Sequence, residues 1–415
     1  MKEMYNLPPV DLLCKSEDAG VTSLNVEEME YIKRRITEIL KSFGIEICSI
    51  SATIGPVVTL YEITPERGVR ISKIRGLEDD IALSLKAIGV RVIAPMPGRG
   101  TIGIEVPNLK PCQVRLRDVV EMPEFQETDM ELPVAVGRTA TGAPFVADLA
   151  AMPHLLVGGA TGQGKTVFLN CLIVSLLYKK RPDELKFVLI DPKGVEFGIY
   201  ERSGGACLAR LPHGGCAVVT DADRALETLH SLCAETDSRH KLLQEAGAGS
   251  LKEYNDLHPD ECLPYVVVVI DEFGDLILTA GREVERLIVR IAQSARAVGI
   301  HMVIATQRPT ANIITGTIKA NFPARAAFRV ISSIDSTIIL DRTGANQLVG
   351  KGDMLFLQGN EPVRVQCAFV DIGEVRKITE YIDSNMPDEK SEDAGHLNAY
   401  FLPEVVTDEG KGKNS

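Results

Sequence analysis

Gly159-Ala160-Thr161-Gly162-Gln163-Gly164-Lys165-Thr166 fits the pattern G-x-x-x-x-G-K-[ST] at every position. A short apolar run, His154–Gly158, precedes this stretch, and a longer apolar segment, residues 167–178, follows it. These flanks predict a strand, a loop and a helix in that order, which is the context that the pattern requires. Because glycines let the backbone curl while the new helix points its positive end at the same spot, such a loop binds phosphate. We therefore predict a phosphate-binding loop rather than a glycine-rich turn that fits by chance.

The residues of this loop predict how a nucleotide and its metal ion are held. Lys165 supplies a cation for the outer phosphates, and Thr166 offers its hydroxyl oxygen to Mg²⁺. The predicted nucleotide-binding residues are Gly159, Ala160, Thr161, Gly162, Gln163, Gly164, Lys165, Thr166 and Val167.

The overall composition is that of an ordinary globular protein. The chain has 415 residues, of which 45% are hydrophobic and 25% charged, and this length predicts about two or three domains. The net charge of −12 argues against a broadly basic surface for nucleic acid. It leaves room for a narrow basic track inside a ring or groove.

The cysteines and the apolar runs indicate the compartment. The nine cysteines include no C-x-x-C pair, so a structural zinc site is not expected. An odd cysteine count without a signal-peptide pattern is typical of the reducing cytosol. The longest apolar stretch, near residues 167–178, is too short to span a bilayer. We expect a soluble cytoplasmic protein, or the soluble part of a longer one.

Patterning divides the chain into four parts. Residues 1–21 are predicted to form a flexible arm, and residues 22–125 a small α+β domain without catalytic residues. Residues 126–385 alternate strands with helices, which predicts an α/β fold with a parallel sheet covered on both faces. Residues 386–415 are rich in acidic side chains, Pro and Gly, and are predicted to be a disordered acidic linker or tail.

A second motif follows the apolar run Tyr265–Ile270, which predicts a strand buried on both faces. Asp271 and Glu272 stand at its carboxyl end, the edge where open α/β sheets bind ligands. Asp271 is predicted to hold Mg²⁺ through water, and Glu272 to orient and polarise the attacking water. Together with the loop, this pair favours hydrolysis of a nucleoside triphosphate over binding alone. A small-molecule kinase would not need a water-activating Glu272.

Further polar residues follow in the same part of the chain. Residues 283–298 are predicted to form a helix that has Arg296 at the flank of its apolar stripe. Arg296 is either a solvated arginine or one presented to the nucleotide of a neighbouring subunit. Gln307, at the end of another apolar strand, is predicted to contact the γ-phosphate. Residues 308–342, which include Arg308 and Lys319, carry a local excess of positive charge.

Six strings of residues, in this order, resemble the motor part of the FtsK/SpoIIIE family of bacterial DNA translocases. They are Met152-Pro153-His154-Leu155-Leu156-Val157, Ile190-Asp191-Pro192-Lys193, Asp271-Glu272-Phe273, Ala305-Thr306-Gln307-Arg308-Pro309, Ile318-Lys319-Ala320-Asn321 and Gly352-Asp353-Met354-Leu355. The resemblance covers residues 22–385. It implies an α subdomain at the N-terminus, followed by a RecA-like P-loop NTPase core.

The resemblance also implies a function. Members of this family form homohexameric rings that thread double-stranded DNA and move along it by ATP hydrolysis in chromosome segregation and cell division. By its place in Ala295-Arg296-Ala297-Val298-Gly299-Ile300-His301, Arg296 corresponds to the arginine that completes the ATP site of the next subunit. Arg308 and Lys319 correspond to DNA contacts. The resemblance implies an inner-membrane anchor and a C-terminal DNA-reading domain in the full-length protein, and this chain contains neither.

The chain departs from the family pattern in its loop, where Gln163 and Thr166 replace two serines, and near Ser333, where the family often has a lysine. The second departure puts one pore-loop DNA contact in doubt. The main alternative is an FtsK-like ATPase of plasmid conjugation or protein secretion. A non-hydrolysing nucleotide-binding scaffold is a further alternative, but it would leave Glu272 and Gln307 without a role.

Overall fold

A computed structural model of the chain describes residues 5–16, 24–87, 89–96, 98–202, 205–386 and 400–405. These residues form a small unit with a four-stranded sheet and a large unit with a ten-stranded sheet. Within the described ranges, no helix is both long and apolar enough to cross a lipid bilayer.

The small unit is an antiparallel sheet packed against helices. Its elements are α1 (Leu24–Ser42), β1 (Ile47–Ile54), β2 (Val58–Pro65), α2 (Ile71–Arg75), α3 (Glu78–Leu85), β3 (Arg91–Ile93) and β4 (Ile102–Pro107). The strands lie in the order β1-β2-β4-β3. Ile36 and Leu40 of α1 are buried against Ile63 and Ile104 of the sheet. This core accounts for the spacing of three and four residues between the apolar side chains of α1, which are Met29, Ile32, Ile36 and Leu40.

The large unit contains the loop predicted to bind phosphate. Its helices are α4 (Arg117–Val120), α5 (Pro123–Gln126), α6 (Lys165–Leu177), α7 (Gly198–Arg202), α8 (Ala222–Ala246), α9 (Leu251–Leu257), α10 (Phe273–Ala280), α11 (Arg282–Ser294), α12 (Gly316–Asn321), α13 (Ser333–Leu340) and α14 (Ile372–Ser384). Its strands are β5 (Pro133–Thr139), β6 (Pro144–Asp148), β7 (His154–Gly158), β8 (Leu185–Ile190), β9 (Ala209–Arg210), β10 (Val218–Val219), β11 (Tyr265–Ile270), β12 (Ile300–Thr306), β13 (Ala324–Phe328), β14 (Asp353–Leu357), β15 (Pro362–Cys367) and β16 (Tyr400–Phe401). Short 3₁₀ helices lie at Val10–Leu12, Gly205–Cys207 and Ala345–Gln347.

The large sheet is mixed rather than wholly parallel. Its order is β10-β8-β11-β12-β7-β13-β14-β15-β5-β6. The strands from β10 to β13 pair in parallel, as predicted. From β13 to β6 the pairing is antiparallel, because short turns join β14 to β15 and β5 to β6.

Both faces of the parallel part are covered. Val267 and Val269 of β11 face one hydrophobic core, whereas Val266, Val268 and Ile270 face the other. Successive side chains of a strand point to opposite faces, so a strand between two cores is apolar at every position. The unbroken apolar run before Asp271 therefore has this packing as its cause.

The cores divide the chain differently from the predicted boundary after residue 125. Val114, Leu116 and Phe125 are buried in the large unit, as are Tyr5 and Leu13 of the predicted arm. Their packing favours a boundary between β4 and Val114. Helices α4 and α5 have four residues each, too few to show a helical repeat in the sequence.

The predicted disordered tail is also partly folded. Tyr400–Phe401 pairs with Ala209–Arg210, and Leu402 is buried. The Tyr400 hydroxyl accepts a hydrogen bond from Arg239 at 2.8 Å. Residues 387–399 and 406–415, to which the same prediction applies, lie outside the described residues.

A buried ion pair joins the two units close to the loop. Arg364 of β15 donates to Glu105 of β4 at 2.8 Å and to Asp353 of β14 at 2.7 Å. Asp353 follows Gly352, whose N–H donates to the Gln163 carbonyl at 2.9 Å. The small unit is thus connected to the loop through one arginine and one turn.

Candidate functional site

The loop between β7 and α6 has the shape that its pattern predicts. Gly164 has φ +115°, and a Cβ atom there would lie 2.9 Å from Cα of Gly352. Only glycine meets both conditions. The first hydrogen bond of α6 runs from the Phe168 N–H to the Gly164 carbonyl at 3.0 Å. The N–H groups of Lys165, Thr166 and Val167 thus come before any intrahelical acceptor, which leaves them for an anion.

A cavity of about 370 Å³ opens beside the loop. One wall is the loop itself, including Thr161 and Thr166. The other lining residues were not predicted from the sequence; they are Gln113, Lys351, Gln366, Cys367, Ala368 and Phe369. They come from segments far apart in the chain, so no local pattern connects them. Only the Gly352-Asp353 string indicated that this region mattered.

Lys165 and Asp271 meet at the carboxyl edge, although β12 separates their strands. The buried Lys165 ammonium donates to the Asp271 carbonyl at 2.5 Å and to Oδ1 of the Asp271 carboxylate at 2.9 Å. The other oxygen, Oδ2, is buried, and no donor within the described part of the chain reaches it. A buried carboxylate oxygen without a partner is costly. This atom therefore fits a role as an acceptor for a hydrated cation.

Thr166 has an acidic partner that the sequence analysis did not single out. Its hydroxyl donates to Oε1 of Glu196 at 3.1 Å. Glu196 lies in the loop after β8, close to the Ile190-Asp191-Pro192-Lys193 string. Burial, followed by the charge of Asp271, raises the pKa of the Glu196 carboxyl. Glu196, which contacts Thr166, and Asp271, which contacts Lys165, are thus two carboxylates beside the loop.

Glu272 is held by the end of the neighbouring strand β12. It is 1% exposed. Oε1 accepts from the Thr306 hydroxyl at 2.5 Å, and Oε2 accepts from the Gln307 N–H at 2.7 Å. The Gln307 side chain in turn accepts from the Thr161 hydroxyl at 2.8 Å. The structure thus brings Lys165, Thr166, Asp271, Glu272 and Gln307 to one edge of the sheet.

Arg296 lies elsewhere. Helix α11 ends at Ser294 instead of continuing to residue 298. The chain then turns into β12, and the Ile300 N–H donates to the Ala295 carbonyl at 3.1 Å. Exposed Arg296 is therefore at the amino edge of the sheet. The length of β12 puts it roughly 20 Å from the loop of its own chain.

The predicted DNA contacts follow β12 and have acidic neighbours. The Arg308 side chain is 62% exposed, and its guanidinium lies 3.8 Å from Asp275. Lys319 is more buried, with its ammonium 2.5 Å from Asp341. Asp341 also pairs with Arg325 at 2.5 Å. Arg308 is thus the more available cation of the two.

The sequence matches two family models. The model described as the FtsK/SpoIIIE family matches residues 115–311, and the FtsK alpha domain matches residues 7–108. A DNA translocase FtsK of Chlorobaculum tepidum is 44% identical over 99% of this chain and 51% of its own length. Another, from Caldanaerobacter subterraneus, is 45% identical over 92% of this chain and 53% of its own length. The chain spans about half the length of these curated relatives.

Solved structures show the same fold. The pCW3 conjugation coupling protein TcpA, solved with ATPγS, aligns with a TM-score of 0.58 and 27% identity. The alignment covers 84% of this chain and 98% of TcpA. EssC from Geobacillus thermodenitrificans aligns with a TM-score of 0.57 over 72% of this chain and 55% of its own, but at 16% identity it supports the fold alone. The predicted fold class, a P-loop NTPase core behind a smaller N-terminal α+β domain, is confirmed. The chain belongs to the FtsK/SpoIIIE family.

Proposed function

We propose that this chain is the motor part of an ATP-driven double-stranded DNA translocase. The observation that carries the proposal is the pair of buried carboxylates, Asp271 and Glu272, at the edge of the sheet that faces the phosphate-binding loop. The relatives that match nearly the whole chain are named DNA translocases.

The residues at this edge fit ATP and Mg²⁺. The loop amides and Lys165 would hold the phosphates, while the Thr166 hydroxyl and the unpartnered Oδ2 of Asp271 would hold the hydrated metal ion. The ion would supply positive charge that offsets the charge of the phosphates. Lys165, which donates to Asp271 in the structure, would donate to a phosphate oxygen instead when the nucleotide binds.

Glu272 would then orient the attacking water. Each of its carboxylate oxygens already accepts one hydrogen bond, from Thr306 or from Gln307, and keeps a second lone pair. Those two bonds hold the carboxylate so that the free lone pair accepts a proton from water. Because Gln307 also contacts Thr161 of the loop, it is placed to respond when the γ-phosphate leaves.

We further propose that Arg296 acts in the site of a neighbouring subunit. Its position at the amino edge, away from the loop of its own chain, supports this role, because an arginine supplied in trans stabilises charge in the transition state. A homohexameric ring repeats this contact around a closed circle.

Arg308 and Lys319 would contact DNA phosphates in the pore without reading sequence. By the same resemblance, the longer protein is anchored in the inner membrane.

The test is steady-state ATP hydrolysis with and without long linear double-stranded DNA. We expect strong stimulation by DNA that weakens with salt, because phosphate contacts release counterions. Lys165→Ala serves as the control for contaminating activity. Hydrolysis indifferent to DNA, in a preparation shown to be hexameric, would contradict the proposal. It would favour an ATPase of the conjugation or secretion type, which the likeness to TcpA keeps as the second candidate.

A further inference from the structure

The carboxylate of Glu196 has no part in the function proposed above, although it touches the loop. The Thr166 hydroxyl donates its one hydrogen to Oε1 of Glu196, and the two oxygens lie 3.1 Å apart. A hydroxyl oxygen that donates in this way keeps both lone pairs for other contacts. The contact therefore decides which way the lone pairs of Thr166 point.

The loop that carries Glu196 is firmly held. Asp191, fully buried at the end of β8, accepts hydrogen bonds from four backbone N–H groups of this loop. The donors are Lys193 at 3.2 Å, Gly194 at 3.0 Å, Glu196 at 2.8 Å and Phe197 at 3.1 Å. One of these bonds comes from Glu196 itself. Its place beside Thr166 is thus fixed by the backbone around it.

A second, independent observation comes from Asp271. Glu196 contacts Thr166, and the adjacent Lys165 donates to Oδ1 of Asp271, so both carboxylates border the same end of the loop. Oδ2 of Asp271 is buried without a donor from any described residue. Two neighbouring carboxylates and a hydroxyl with free lone pairs supply the oxygen ligands that a hydrated hard cation prefers.

We propose that Glu196 is a positioning residue for the metal ion that accompanies the nucleotide. It holds the Thr166 hydroxyl hydrogen, directs the lone pairs of Thr166 to the ion and leaves its second oxygen to accept from an ion-bound water. Such outer contacts orient the ligands of metal ions and raise their basicity. The inference rests on the proposed nucleotide site, which it extends by one residue.

The test measures ADP binding by calorimetry, with the metal chelated and then with Mg²⁺ titrated in. For Glu196→Gln we expect ADP affinity without metal to stay within about twofold of wild type. The Mg²⁺ concentration for half-maximal enhancement should rise by about 10–100-fold, the usual effect of losing such a contact. Glu196→Ala should have the larger effect. Glu245→Gln makes the same chemical change at an exposed position of α8 and should have no effect.

A double-mutant cycle then separates positioning from a general effect of charge. If Glu196 acts through Thr166, then Glu196→Gln should cause little further loss of Mg²⁺ affinity in a Thr166→Val background. Additive losses, or an unchanged Mg²⁺ response in folded Glu196→Gln, would overturn the inference. If Mg²⁺ does not change the ADP affinity of the wild-type protein, the proposed nucleotide and metal site fails, and the inference about Glu196 fails with it. Failure in the variants alone overturns only the inference, so the two failures are distinguishable.

Discussion

The two edges of the parallel strands carry opposite kinds of residues. At the carboxyl edge, Lys165, Asp271 and Glu272 are buried and hydrogen-bonded to one another or to the end of β12. At the amino edge of the same strands, Arg296 is exposed, and no described acidic group lies within ion-pair distance of it. One edge thus holds a buried lysine with two buried carboxylates, while the other presents an arginine to solvent. This difference is what the proposed role of Arg296 in the site of a neighbouring subunit requires.

Loss of the cation at the amino edge should have the largest effect. Arg296→Ala is expected to lower ATP hydrolysis by about 10³–10⁵-fold, since a trans arginine stabilises the transition state. Nucleotide affinity should be nearly unchanged, because Arg296 lies away from its own loop. Hydrolysis assays combined with calorimetry of ADP binding would measure both. Arg286→Ala, at an arginine that is 73% exposed on α11, is the matched control. An equal loss of affinity and rate would argue against a role in trans.

At the carboxyl edge, Glu272→Gln should lower the hydrolysis rate by about 10²–10⁴-fold, the usual contribution of a positioned base. The amide cannot accept a proton, and it places an NH₂ group against either the Thr306 hydroxyl or the Gln307 N–H. Nucleotide binding should persist, because the loop and Lys165 are untouched. Single-turnover hydrolysis would measure the effect. A variant that retains more than about a tenth of the wild-type rate would show that another group orients the water.

The amino edge should also make stability depend on pH. Burial holds the pKa of His154 at about 3 and that of His301 at about 4, against 6.5 in a free histidine. The unfolded chain therefore binds protons between pH 6.5 and 4, whereas the folded chain does not. Stability should be full above pH 6.5 and fall as the pH drops, at up to about 1.4 kcal/mol per pH unit for each histidine. Denaturant unfolding between pH 7 and 5 would test this. The slope of unfolding free energy against pH should flatten in the double variant His154→Gln/His301→Gln. It should not flatten in His240→Gln, the control, because the His240 side chain is exposed.

The smallest effect is expected at Arg308, which follows the carboxyl edge but is exposed. Arg308→Ala should weaken DNA binding by less than about tenfold and reduce the slope of log affinity against log salt by about one. Stability should change little, since its pair with Asp275 is a long surface contact. DNA binding across a salt series would show this. An unchanged slope would remove Arg308 from the DNA interface.

The local patterns predicted the carboxyl edge well. The loop and the Asp271-Glu272 pair follow apolar strands, and parallel strands end at one edge, so adjacency in space follows from the sequence. The remaining features depend on tertiary contacts. Glu196 lies beside Thr166 because Asp191 accepts hydrogen bonds from four N–H groups of its loop. A loop held in this way has no periodic pattern in the sequence. Gln366 and Cys367 of the cavity wall lie in β15, whose place beside the loop depends on the order of strands in the sheet rather than on a local pattern.

The most direct test of the claim that two edges form one site is subunit mixing. Lys165→Ala keeps Arg296 but cannot bind phosphate, while Arg296→Ala keeps the loop but lacks the cation. Each variant alone should be nearly inactive in DNA-stimulated ATP hydrolysis. In randomly mixed rings of equal amounts, roughly a quarter of the interfaces should combine an intact loop with an intact arginine, so activity should return. Mixed rings that stay as inactive as the separate variants would contradict the account.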